Sequence, residues 1–208
     1  MQKTIADLWQ QMTGVPVAEG YGLSETAPVV CVNTPLIKEF TGHIGLPLPS
    51  TEIQIRGEDG LPTALGEPGE ICIRGPQVMT GYWNRPQDTR EAMTADGFFK
   101  SGDIGTMNED GYVKIIDRKK DMIIVSGFKV YPNEIEALLM QLDGVVECAV
   151  IGVPDEETGE AVKLFVVQDA TVTPSENLSV EPRGSLTAEQ IQNFCKAQLT
   201  NYKRPKYI

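Results

Sequence analysis

The stretch that most constrains the fold is residues 117–136, DRKKDMIIVSGFKVYPNEIE, which changes character four times. Its opening charged run, Asp117 to Asp121, has no apolar periodicity, cannot pack on both faces, and reads as a solvated link between folded parts. The β-branched run Ile123 to Val125 reads as a buried strand ending at Gly127. Lacking a Cβ, Gly127 lets another backbone or a narrow ligand arm approach closely. Pro132 then opens a helix whose first turn carries Glu134 and Glu136 near the positive end of the helix dipole. A chain with this order is divided, with one folded part before the link and an αβ part after it.

The totals agree with that division. At 208 residues the chain is long enough for one good core or two smaller ones, and the link makes it two. Lys and Arg total 18 against 29 Asp and Glu, a net charge of −11, which argues against a polyanion and so against nucleic acid as a partner. Cys31, Cys72, Cys148 and Cys195 are scattered without a CxxC pair and His43 is the only histidine, so spacing assembles no zinc site. Reduced, buried thiols are expected. No apolar run approaches bilayer-spanning length and the first residues are polar and amphipathic. The expectation is a cytoplasmic protein without a transmembrane segment.

From the start, Ile5, Leu8, Trp9 and Met12 make one apolar stripe on a helix over Gln2 to Thr13, which predicts that this helix packs against something. A short strand is expected over Val15 to Ala18. Next comes EGYGLSETAP, residues 19–28, where two glycines around a tyrosine make a tight turn that can expose an aromatic face. Ser24, Glu25 and Thr26 bring oxygen ligands together on the same loop, and such oxygens suit a hard cation such as Mg2+ already half coordinated by phosphates. Taken alone, this loop reads more readily as a strand-to-loop corner than as a nucleotide site.

Residues 41–116 read as short strands joined by glycine turns, with Ile53 and Ile55, and Ile71 and Ile73, alternating as on half-exposed strands. This spacing favours a small twisted barrel or sandwich, interrupted by one helix from Pro86. Asp103, between small residues, can accept two hydroxyl donors, and Gly102 leaves room for a sugar. A turn aspartate is the plain alternative. Beyond the link, a helix from Pro132 to Leu142 presents Ile135, Leu138, Leu139 and Leu142. Val145 to Val153 and Ala161 to Val167 read as short buried strands. Asp169 to Ser185 is polar and proline-containing, a flexible surface excursion, and Thr187 with Gln190 forms a capping box before a helix carrying Ile191, Phe194, Cys195 and Leu199. The fold class is therefore α+β, a small β-rich, distorted-barrel subdomain followed by a compact αβ domain.

Four motifs carry a resemblance. DRKKDMI followed by SGFKVYPNEIE resembles the hinge motif of the adenylate-forming enzymes, the superfamily of acyl-CoA synthetases, luciferases and peptide-synthetase adenylation domains, and is most similar to bacterial long-chain fatty acyl-CoA synthetases. GYGLSET resembles the family's adenine and magnesium loop, GEICIRGPQVM through GYWNRP its strand and glycine-turn motif, and FFKSGDIG its ribose motif. The resemblance implies a nucleotide site of Gly20, Tyr21, Gly22, Ser24, Asp103 and Arg118, with Tyr21 against the adenine, Ser24 near the phosphates, and Asp103 and Arg118 at the ribose. It implies Glu25 and Ser24 as Mg2+ ligands, Glu25 and Lys120 as catalytic residues with Lys120 at the hinge, and Gly127 and Phe128 beside the CoA arm. Ser24 stands where threonine is common, which keeps the hydroxyl.

The implied organisation is residues 1–117 as the end of a large AMP-binding domain, 118–121 as hinge, and 122–208 as a small αβ domain incomplete at its end. The implied reaction joins a fatty acid to coenzyme A at the expense of ATP with Mg2+, through an acyl-adenylate, releasing AMP and pyrophosphate. The sequence has neither a GxxxxGK[ST] phosphate loop nor the family's STGTTG form, and it stops before the family's terminal catalytic lysine. The isolated chain is therefore expected to be an inactive carboxy-terminal fragment. An aryl-CoA or carrier-protein acylating ligase, and a non-catalytic binding module built from the small domain, stay open, as do a homodimer and peripheral association of the parent with the inner face of the cell membrane.

Overall fold

A computed structural model of the protein describes residues 3–168 and 186–208, so the polar stretch from Asp169 to Ser185 lies outside the described residues. The chain forms two compact units, Met1–Lys120 and Asp121–Ile208.

The amino-terminal unit opens with helix α1, Lys3–Thr13. Its apolar stripe does not find a partner among the described residues: Ile5, Leu8, Trp9 and Met12 are all exposed, and only Ala6 is buried. Residues 15–18 are irregular rather than a strand. Strands β1 (Gly20–Gly22), β2 (Val29–Val32) and β3 (Leu46–Pro47) form a small antiparallel sheet. The second sheet is an antiparallel meander of β4 (Glu52–Arg56), β5 (Gly69–Arg74), β6 (Phe99–Met107) and β7 (Val113–Arg118), with helix α2 (Pro86–Ala92) between β5 and β6. Val30, Cys31, Ile55, Ile71, Ile73, Phe99 and Val113 make the core.

The alternation of β5 predicts a half-exposed strand, but Cys72, on the face opposite Ile71 and Ile73, is also buried. Nearby, buried Phe98 has the guanidinium carbons of Arg56 and Arg74 4.4 and 4.3 Å from its ring centre. Arg56, itself buried, makes a two-pronged pair with Asp96 at 2.6 and 2.9 Å. Planar guanidinium groups can stack on an aromatic face while their edges bind a carboxylate, so a charged residue is accommodated inside.

The carboxy-terminal unit is an antiparallel sheet in the order β10 (Val145–Asp155), β11 (Gly159–Gln168), β8 (Ile123–Val125), β9 (Phe128–Val130). Helices α3 (Pro132–Leu139) and α4 (Ala188–Gln198) pack on one face, through Ile135, Leu139, Ile191 and Cys195 against Val150, Val162 and Leu164. Here β10 and β11 are neither short nor wholly buried. They run 11 and 10 residues, and Ile151, Phe165 and Val167 are exposed. A paired antiparallel hairpin needs only one covered face, and long β-branched runs fit it as well as a buried strand. The capping box forms as spaced: Gln190 N donates to Thr187 Oγ1 at 3.2 Å and Thr187 N to Gln190 Oε1 at 2.8 Å.

Candidate active site

The charged run at 117–121 is more structured than a solvated link. Asp117 and Arg118 end β7, Asp117 is buried, and Arg118 N donates to its carboxylate at 2.8 Å. Lys119–Asp121 then forms a 3-10 turn at the boundary between the units. Ladder pairing explains the difference, because a strand edge satisfies backbone groups that a free link would leave to water.

That strand sets the site. The register of β6 on β7 places Asp103 opposite Arg118, with Arg118 Nε 3.5 Å from Asp103 Oδ1. Tyr21, carried by β1, donates its hydroxyl to Asp103 Oδ2 at 2.6 Å across 82 positions of sequence. Burial first, and the bond to Asp103 second, push the Tyr21 phenol upward from its ordinary value, so it remains a donor. Asp103 is itself buried, and its N–H is held by Ser101 Oγ at 3.1 Å. Ser101, Gly102, Asp103, Arg118, Lys119 and Lys120 line one cleft of about 410 Å3. Tyr21, Asp103, Arg118 and Lys120, picked from three separate motifs, thus meet at one place in the amino-terminal unit.

Gly22 is fixed by space, since a Cβ there would fall inside the Pro28 carbonyl. The loop that follows is a 3-10 turn, Ser24–Thr26, and it divides the three oxygen-bearing residues. Ser24 is exposed and Glu25 half-buried, but Thr26 is fully buried, accepting from Leu23 N at 3.0 Å and donating to Pro28 O at 2.8 Å. Thr26 therefore closes the turn and is not a ligand, because its hydroxyl is committed to backbone groups.

The residue that sequence reasoning missed is Tyr82. Its hydroxyl donates to Glu25 Oε1 at 2.9 Å, while Met79 N donates to the Glu25 carbonyl at 2.8 Å. Burial and Glu25 raise the Tyr82 phenol, keeping it a donor. Its motif reads as structural from spacing, and no local pattern reveals a contact 57 positions away. Among the described residues no cluster of three or more His, Cys, Asp or Glu could hold a metal ion. One carboxylate with a neighbouring hydroxyl still fits Mg2+, which keeps water and phosphate oxygens as most of its ligands.

In the carboxy-terminal unit Gly127 has a different reason for being glycine. Ser126 and Gly127 are the two turn residues of the β8–β9 hairpin, at φ of 50° and 83°, and a Cβ on Gly127 would meet nothing within 4 Å. Left-handed backbone geometry is enough to favour glycine at this position. Phe128 stacks on Tyr202 with ring centres 4.7 Å apart and remains half exposed. Both line a cleft with Val125, Ser126, Asn201 and Arg204. Lys203 and Lys206 are engaged nearby, with Glu134 at 2.7 Å and Asp155 at 2.6 Å.

The AMP-binding enzyme family matches residues 1–83, and the AMP-binding enzyme C-terminal domain matches residues 134–208. The chain belongs to the AMP-binding, adenylate-forming enzyme family. Within that family it is 49% identical, along its whole length, to a long-chain-fatty-acid–CoA ligase of Yersinia pestis and to one of Escherichia coli O157:H7. It covers 34% and 35% of those proteins, so it spans about a third of the curated relatives it matches. Among solved structures, ATP-bound MatB from Rhodopseudomonas palustris superposes with a TM-score of 0.86 at 35% identity, over 99% of this chain and 38% of that one. No described helix is long and apolar enough to cross a membrane.

Proposed function

We propose that the chain is the carboxy-terminal part of an ATP-dependent long-chain fatty acid–CoA ligase. The observation that carries this reading is Asp103, hydrogen-bonded by Tyr21 and ion-paired with Arg118, buried itself and opening to a cleft at its edge. A carboxylate fixed between a phenol donor and a guanidinium keeps lone pairs for sugar hydroxyls, and its charge favours such bonds. In the proposed first half-reaction the fatty carboxylate attacks the α-phosphorus of ATP, forming acyl-adenylate and expelling pyrophosphate. In the second the CoA thiolate attacks the acyl carbon and AMP leaves, giving acyl-CoA. Mg2+, held by Glu25 with Ser24 beside it, would offset charge on the phosphate oxygens. Tyr21 would lie along the adenine, between Gly20 and Gly22.

Lys120, the last residue of the amino-terminal unit, is where we propose that a backbone rotation between the half-reactions is absorbed. Gly127 and Phe128 would border the path of the pantetheine arm. These 208 residues by themselves are expected to bind AMP without turnover, because neither phosphate-loop motif occurs in them. The test is acyl-adenylate formation by the isolated chain and by a chimera in which it replaces the matching third of the Yersinia pestis relative. Activity only in the chimera, greatest with long-chain acids and lost on Glu25→Ala, supports the reading. Turnover by the isolated chain overturns the inactivity, and a chimera inactive with every acid from acetate upward overturns the ligase assignment.

A further inference from the structure

One side chain touches both walls of the amino-terminal cleft. Glu70, on β5, accepts from Gly102 N through Oε1 at 3.1 Å and from Lys119 Nζ through Oε2 at 2.8 Å. Its side chain is only 11% exposed. Gly102, with φ of +75°, immediately precedes Asp103, so whatever holds its N–H sets the path by which the Asp103 carboxylate reaches the cleft. Lys119 immediately precedes Lys120, where the amino-terminal unit ends, and begins the Lys119–Asp121 turn. A carboxylate with both oxygens engaged holds its two partners at a fixed separation, so movement of one is felt by the other.

The pair is too exposed on the lysine side, at 50%, to matter much for stability. What it does provide is a mechanical connection. We propose that Glu70 is a positioning residue that couples the Ser101–Asp103 segment of β6, where its pairing with β5 is irregular, to the turn at the unit boundary, so that nucleotide in the cleft restrains the junction. The inference rests on the reading of Asp103 as the group facing the ribose. A purely structural Glu70 would satisfy Gly102 N–H and nothing more, and Lys119 would then be irrelevant to the response to nucleotide.

The two accounts separate in hydrogen exchange of the 208-residue chain with and without saturating AMP, followed at 101–103 and at 119–121. In the wild type AMP slows exchange in both segments. In Glu70→Gln, which keeps an acceptor for Gly102 but not the charge, and in Lys119→Met, protection at 101–103 persists while that at 119–121 falls about fivefold, the lower end of coupling between sites. Lys119→Arg restores it. The same protection at 119–121 in all these variants at saturation overturns the coupling. Asp103→Asn is the control for the underlying reading: if the wild type binds AMP more tightly than this variant, the ribose reading stands whatever the coupling shows. A wild type that does not bind AMP, or binds it no better than Asp103→Asn, overturns the ribose reading and the coupling with it.

Discussion

The end of β1 at Gly22 and the hairpin at Ser126–Phe128 use glycine for opposite reasons. At Gly22 the neighbouring Pro28 carbonyl occupies the space a Cβ would need, whereas a Cβ on Gly127 would meet no protein atom and it is the positive φ that disfavours other residues. The same contrast extends to the polar groups. Tyr21, Asp103 and Arg118 are locked by contacts between distant strands, while Phe128 leans on a single aromatic neighbour, Tyr202, at the tip of a two-residue turn. One region is held by packing in three dimensions and the other mainly by local backbone geometry. A site of the first kind is sensitive to volume and a site of the second kind to conformation.

Substitutions can break that contrast. Gly22→Ala should cost the most, about 3 kcal/mol or failure to fold, since backbone on both sides has to move. Both tryptophans, Trp9 and Trp83, lie in the amino-terminal unit, so denaturant unfolding followed by their fluorescence reads that unit selectively. Asp103→Asn should weaken AMP binding about thirtyfold, the equivalent of about 2 kcal/mol for hydrogen bonds to a charged group. Isothermal titration of the purified chain measures it. Gly127→Ala should cost only about 1 kcal/mol, the strain of a left-handed alanine, and Gly127→Asn less than that, by circular dichroism melting. A Gly127→Ala loss as large as that of Gly22→Ala would abolish the distinction.

Smaller effects sharpen it. Tyr82→Phe removes one hydrogen bond to Glu25 and should raise the Mg2+ concentration needed for half-maximal ATP binding about fivefold, about 1 kcal/mol, while leaving AMP binding without Mg2+ unchanged. The smallest effect is pH-dependent and belongs to the carboxy-terminal unit. Lys206 first, and Thr158 second, hold the Asp155 carboxyl at about 2, below its usual 3.8. A depressed folded value means that the contribution is complete above about pH 4 and is lost as pH falls through about 2. Circular dichroism melts between pH 5 and 2 should show a decline that Asp155→Asn flattens.

Much of the site was legible because its residues sit in contiguous motifs with local consequences: a glycine-flanked tyrosine, an aspartate after Gly102, a strand ending in a turn before a proline-started helix. What was not legible depended on partners far along the chain. Thr26 reads as a third oxygen ligand until its burial is seen, and β5 reads as half exposed until Phe98 is seen buried between Arg56 and Arg74. Likewise, the charged residues Asp117 and Arg118 read as a link because composition carries no information about ladder pairing.

By itself, then, the sequence determined the strand before Gly127, the helix start at Pro132 and the capping box at Thr187, since these follow from interactions among near neighbours. Only the tertiary structure decided that Tyr21 reaches Asp103, that Tyr82 holds Glu25 and that Glu70 spans from Gly102 to Lys119. Each of those bonds joins strands or loops whose register is set by the burial of whole sheet faces, a cooperative outcome that no short stretch of residues specifies on its own.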